Sequence, residues 1–215
     1  MDPRPLPRRF YQRDPVAVAR DLIGRLMVRE MGGERVLGRI VEVEAYRFDD
    51  PASHAYRGET RRNASMFGPP GHAYVYRSYG IHRCLNAVAL PGSAVLLRAV
   101  EPLEGLAVMA RRRGLDDPRL LCAGPGRLCQ AFGIGLDDDG ADLCEARGLW
   151  LAGPRAAAEV LVTPRVGIAV AADFPWRFVE AGNRFASRSA SWGLDSRGAA
   201  GGRSSSAARR GRGRR

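Results

Sequence analysis

The chain has 215 residues, 45% of them hydrophobic, and a formal net charge of +11. That length suffices for one full core or a domain plus a tail, and no apolar run reaches transmembrane length. The Pro- and Arg-rich residues 1–9 lack the apolar stretch of a signal peptide, so an intracellular location (cytoplasm or nucleoid if bacterial) without a membrane partner is expected. All 34 basic residues are Arg, which excludes lysine Schiff-base catalysis and suits phosphate contacts through the planar guanidinium. Cys84, Cys122, Cys129 and Cys144 show no C-x-x-C spacing and do not combine with His54, His72 or His82 in a zinc pattern. Reduced structural cysteines and no metal are expected.

Residues 1–13 read as an irregular arm. Asp14-Pro15 then starts a helix, with Asp14 at the N-cap and Pro15 at the first helical position. Val16, Ala19, Leu22 and Ile23 form its apolar face, and Gly24 stops it. A strand begins at Leu26, turns at Met31-Gly32-Gly33-Glu34 and returns over residues 35–46. In the stretch Val41-Glu42-Val43-Glu44-Ala45-Tyr46, alternation places Glu42, Glu44 and Tyr46 on one face. Residues 47–72 predict a long, functional loop carrying His54. Two strands, 73–77 and 82–90, enclose a tight turn at 78–81 with Tyr79 near its tip, where small polar residues are usual. A further strand covers 95–100. Pro102 is expected to open a helix with Leu103, Leu106 and Met109 inward, followed by helices from Asp117-Pro118 and from Gly124-Pro125-Gly126 through Phe132. Residues 147–186 read as strands and turns. From residue 191 there are seven Arg and one Asp among Gly, Ser and Ala, a composition that predicts a disordered basic tail over 191–215 and leaves 14–190 as the folded domain.

The residues with chemical potential lie on these strands. Arg98 interrupts the apolar run Val95-Leu96-Leu97-Arg98-Ala99-Val100, and a buried charge needs a counter-charge. Glu44, read as its partner across the strands, would supply one and could hold a water with it. The same pattern fits a structural ion pair. Tyr46, Tyr76 and Tyr79 could form two stacking walls and a wedge, or sit in an ordinary core. His54 could be a loop histidine or a binding group, and Asn86 a satisfied core amide or a specificity contact. Carboxylate, rings and a basic surface together point to chemistry on a nucleobase.

The blocks Glu42-Val43-Glu44-Ala45-Tyr46, Ser53-His54, Arg62-Asn63, Met66-Phe67, Tyr74-Val75-Tyr76-x-x-Tyr79-Gly80, Cys84-Leu85-Asn86, Leu96 to Gly105, Gly124 to Ala131 and Pro164-Arg165-Val166-Gly167 occur in order between about Asp14 and Ser187. In this the chain resembles the alkyladenine (3-methyladenine) DNA glycosylase family. The resemblance implies a monofunctional enzyme, expected as a monomer without cofactor, that acts on double-stranded DNA containing damaged purines. It implies that Glu44 activates water, which Arg98 and the Val166 carbonyl help to hold. Tyr46, His54 and Tyr76 would enclose the flipped base, Asn86 would exclude the 2-amino group of normal guanine, and Tyr79 would enter the duplex. Ile81 stands where the family often has Met. The expected fold is α+β: one domain with a curved antiparallel sheet, flanking helices and a protruding hairpin. The reading from another class is a non-catalytic protein that recognises distorted duplex, which would have no need of the Glu44–Arg98 pair.

Overall fold

The computed structural model describes residues 3–153, 156 and 158–187. The basic tail lies outside them. In chain order the elements are α1 (Arg8–Tyr11), α2 (Pro15–Leu22), β1 (Leu26–Met31), β2 (Glu34–Tyr46), β3 (Ala73–Ser78), β4 (His82–Val88), β5 (Ala94–Glu104), α3 (Leu106–Arg113), α4 (Pro118–Leu121), α5 (Pro125–Phe132), β6 (Leu149–Ala152), β7 (Val160–Thr163) and β8 (Arg177–Glu180). The architecture is α+β, as expected. The strands form one antiparallel sheet in the order β3-β4-β5-β2-β1-β6, with β8 pairing both β2 and β7.

β2 organises the sheet. Gly32 and Gly33, both at positive φ, close the β1–β2 hairpin in two residues, a turn that L side chains disfavour. β1 pairs with residues 34–39 of β2 on one side, and β8 takes over at Glu42–Glu44. β5 runs along the other side. The middle of β2 therefore has a strand on both flanks. One sheet face is covered by α2, α3 and α5, whose Leu22, Met109, Leu128 and Phe132 pack with Ile40, Val43, Leu97 and Val100. Each such side chain contributes about 1.5–3 kcal/mol by leaving water. The other face is covered by the loop 47–72, where Ala55 and Met66 pack with Tyr74, Val88 and Ala94.

α2 is capped as its sequence predicts, the Asp14 side chain accepting a hydrogen bond from the Val16 N–H at 2.9 Å. Two expectations change. The first residues are not an irregular arm: Leu6 and Tyr11 are buried, the Leu6 N–H donates to the Leu151 carbonyl, and residues 8–11 form a helical turn. Apolar side chains within the Pro- and Arg-rich stretch anchor it beside β6. Pro102 does not open a helix either. Its strand continues to Glu104, with Pro102 opposite Gly38, and α3 begins only after Gly105. A proline is tolerated there because β4 pairs with β5 only at residues 94–96, so the far side of Pro102 needs no ladder donor. Gly105 turns the chain at φ 76°, where an added Cβ would lie 2.4 Å from the Arg35 carbonyl oxygen. Leu103 and Leu106 consequently face solvent and only Met109 of the three is buried.

Candidate active site

Glu42 and Glu44 are both completely buried, on a sheet face where two ionised carboxylates need compensation. It comes from a local irregularity in the β2–β5 pairing. Ile40 faces Val100, Glu42 faces Ala99 and Val43 faces Leu97, which leaves Val41 and Arg98 without opposite residues. Such bulges redirect side chains. Arg98 is thus not the direct cross-strand partner of Glu44, which faces Leu96. It lies between the two acids, its Nε donating to Glu42 at 2.9 Å and its Nη1 to Glu44 at 3.2 Å.

The two carboxylates are held differently. Glu42 also accepts from Arg177 Nε at 2.9 Å and from the N–H and hydroxyl of Ser187 at 2.7 and 2.8 Å. Burial opposes its ionisation, but the two guanidiniums and Ser187 outweigh it and hold its carboxyl below the usual range. Neither Arg177 nor Ser187 lines the cavity that lies beside Glu44, so these contacts hold Glu42 within the fold. Glu44 accepts from the Tyr46 hydroxyl at 3.0 Å and, on its other oxygen, from the Val166 N–H at 2.7 Å. Three of its partners, Tyr46, Arg98 and Val166, line a cavity of about 510 Å³. Val166, expected to act through its carbonyl, contacts the acid here through its amide. Burial and the adjacent Glu44 carboxylate raise the Tyr46 phenol well above its ordinary range, so it remains a donor to Glu44.

Aromatic rings line the same cavity. Tyr76 stacks on Tyr74, with centroids 5.4 Å apart and an interplanar angle of 29°. His54 meets the Tyr76 ring edge-on at 4.5 Å and bonds the Tyr74 hydroxyl through Nδ1 at 2.9 Å. Burial lowers the His54 pKa, which favours a neutral imidazole. The loop that delivers His54 is pinned by Asn63, whose side-chain amide donates to the His54 and Gly58 carbonyls. Asn86, opposite Tyr74 in the β3–β4 ladder, is buried and donates to the Tyr74 carbonyl at 3.0 Å. It is therefore anchored at the cavity wall.

Tyr79 stands apart from this packing. The β3–β4 hairpin extends beyond the three residues that pair with β5, and at its tip Tyr79 is 88% exposed with φ 49°. A bulky residue in that region is strained. Gly80 follows at φ 73°, and the Ile81 N–H closes the turn on the Ser78 carbonyl. Ile81 is exposed beside Tyr79. Two large side chains thus project into solvent at the hairpin tip, and Tyr79 also lines the cavity. The N-terminus of α5 approaches the same hairpin: a Cβ on Gly126 would lie 3.0 Å from His82.

All eight residues singled out from sequence are thereby located. Seven surround one cavity and Glu44 sits directly behind its wall. Sequence reasoning missed Tyr74 as the backing ring, Arg177 and Ser187 on Glu42, and the buried Asp50–Arg165 pair behind Tyr46. The four cysteines are unbridged, three of them buried, and burial pushes the Cys122 thiol up to about 12. No helix among the described residues is long and apolar enough to cross a membrane.

Residues 9–184 match the family model described as "Methylpurine-DNA glycosylase (MPG)". A protein of Agrobacterium fabrum named "Putative 3-methyladenine DNA glycosylase" is 54% identical over 183 residues, 85% of this chain and 92% of its own. Proteins of the same name are 53% identical over 182 residues in Nitrosospira multiformis (83% and 91% of the two chains) and 51% identical over 193 residues in Methanoculleus marisnigri (85% and 98%). A family match over most of the domain, and relatives alike along nearly their whole length, have one consequence: the chain belongs to the methylpurine-DNA glycosylase family, enzymes that hydrolyse N-glycosyl bonds in DNA.

Proposed function

We propose that this enzyme rotates an alkylated or deaminated purine out of duplex DNA into the Tyr46–Tyr76 cavity and hydrolyses its N-glycosyl bond, leaving an abasic site. The observation that carries the reading is Glu44: a fully buried carboxylate, oriented on both oxygens, behind the wall of an aromatic cavity. A base within a duplex is out of reach, and extruding it costs a few kcal/mol. Tyr79 and Ile81 at the hairpin tip fill the vacated stack and offset part of that cost. The flipped base gains about 1–3 kcal/mol from stacking on an aromatic ring. The cavity volume falls in the range of small-ligand sites.

Glu44 then takes a proton from the attacking water, with Arg98 and the Val166 carbonyl helping to hold it, and its negative charge opposes the positive charge that develops on the sugar. Protonation or alkylation makes a purine a better leaving group. A chain without lysine is consistent with attack by water rather than by a side-chain amine. The test is a panel of duplexes carrying 3-methyladenine, 7-methylguanine, hypoxanthine or ethenoadenine, each incubated with enzyme and then treated with alkali. At least one lesion strand should be cut only after alkali. A panel that is bound but never made alkali-labile would favour the non-catalytic binder instead.

Asn86 serves as a filter against guanine, its anchored amide occupying the space that a 2-amino group would need. Replacing it with Ser should raise excision of unmodified guanine relative to the best lesion by about tenfold or more, the scale of a single steric discriminator. An unchanged ratio would reduce Asn86 to a strand-linking amide.

A further inference from the structure

Behind Tyr46 lies an ion pair that the mechanism above does not use. Arg165 and Asp50 have no exposed side-chain surface. Arg165 Nη1 donates to Asp50 Oδ2 and, at 3.1 Å, to the Ala45 carbonyl, while Nη2 donates to Asp50 Oδ1 at 3.1 Å and to the Ala171 carbonyl at 3.3 Å. Its guanidinium carbon lies 4.6 Å from the Tyr46 ring centroid and 5.2 Å from that of Trp176. Arg165 does not line the cavity and Tyr46 does. The cation therefore occupies one face of Tyr46 and leaves the other side to the cavity. The Tyr76 part of the lining is built differently: Tyr76 stacks on the ring of Tyr74, and among the described residues no guanidinium lies over either ring.

We propose that Arg165, held by Asp50, is a specificity-determining residue that makes the two aromatic walls electronically unequal. A guanidinium on one face of a ring uses the same π density that would attract a cation on the other. The Tyr46 wall is thereby made a weak binder of positively charged bases and a good stacking surface for neutral ones. Attraction to cationic purines is left to Tyr76 and its stacked partner. Burial disfavours the charged form of His54, which limits repulsion there. Arg165 thus restrains the preference for charged alkylpurines and keeps neutral damaged purines acceptable. The inference rests on the reading that the cavity holds the flipped base.

The test compares single-turnover excision of 3-methyladenine, a cation without a 2-amino group, with that of hypoxanthine, which is neutral. The double variant Asp50→Asn with Arg165→Met removes both charges at once, so no lone charge is buried and the net charge does not change. Its 3-methyladenine-to-hypoxanthine ratio should rise about three- to tenfold, the worth of one partly desolvated cation–π contact. Asp50→Asn alone leaves the guanidinium uncompensated and should move the ratio the other way. Thermal melts establish which variants are folded at the assay temperature, and if the double variant is not, the sign of the Asp50→Asn shift decides. A purely structural brace would slow both lesions in parallel, and an unchanged ratio in the folded variants overturns the proposal while leaving the cavity assignment intact. Excision of no lesion in the four-duplex panel by the wild type would overturn that assignment and this inference together.

Discussion

Glu44→Gln should lower single-turnover excision by at least about a hundredfold, the lower end of what loss of a general base removes, while binding to lesion-containing duplex is largely kept. Gln has the size of Glu and can still accept from Tyr46, Arg98 or the Val166 N–H. It cannot take a proton from water, and it places no negative charge near the sugar. Glu42→Gln is the natural control. It lies two residues away and shares Arg98, but its oxygens are enclosed by Arg98, Arg177 and Ser187. Its loss should act through Arg98 placement and stability, so the excision defect should be smaller and the thermal stability loss larger. Rates measured side by side with gel shifts and thermal melts separate the two. A larger rate defect in Glu42→Gln would move the base two residues upstream.

Tyr79→Ser should weaken binding to lesion duplex about five- to a hundredfold, since one base–aromatic stack is worth about 1–3 kcal/mol. The side chain has no packing role in the free protein, being 88% exposed at the end of a hairpin. Its removal should leave thermal stability nearly unchanged, since Ser also carries a Cβ and meets the same φ of 49°. Excision of the same lesion from a single strand, where no stack is vacated, should suffer less. Equal losses on single and double strands would point to a role inside the cavity rather than in the duplex.

How much of this was legible in the sequence depended on whether the signal was local. Alternation from Val41 to Tyr46 located the acid and the first ring because a strand repeats every two residues. Gly32-Gly33 and Gly80 marked hairpin turns because few residues other than glycine accept positive φ. The route of Pro102 was not legible. Proline is equally at home at a helix start and on an unpaired strand edge, and only the early end of the β4–β5 ladder decides between them. Nor was the bulge that sets Arg98 between two carboxylates, since the register shift belongs to a pair of strands distant in sequence. Asp50 reads like every other acid in a polar loop. Its partner, Arg165, is 115 residues away, and the pair becomes visible only when β2, the loop 47–72 and the segment before β8 close around Tyr46. Arg177 and Ser187 escaped for the same reason: what they contact, Glu42, lies across the sheet and far back in the chain.

The central claim, hydrolytic release of a damaged purine with Glu44 as base, is tested most directly by product analysis of a single-turnover reaction on the preferred lesion, run with wild type and Glu44→Gln in parallel. The account predicts one equivalent of free purine per wild-type turnover, a strand that stays intact until alkali is added, no protein–DNA adduct trapped by borohydride, and almost no free base from the variant. A strand nicked without alkali together with a borohydride-trapped adduct, or purine release by Glu44→Gln at the wild-type rate, would contradict it.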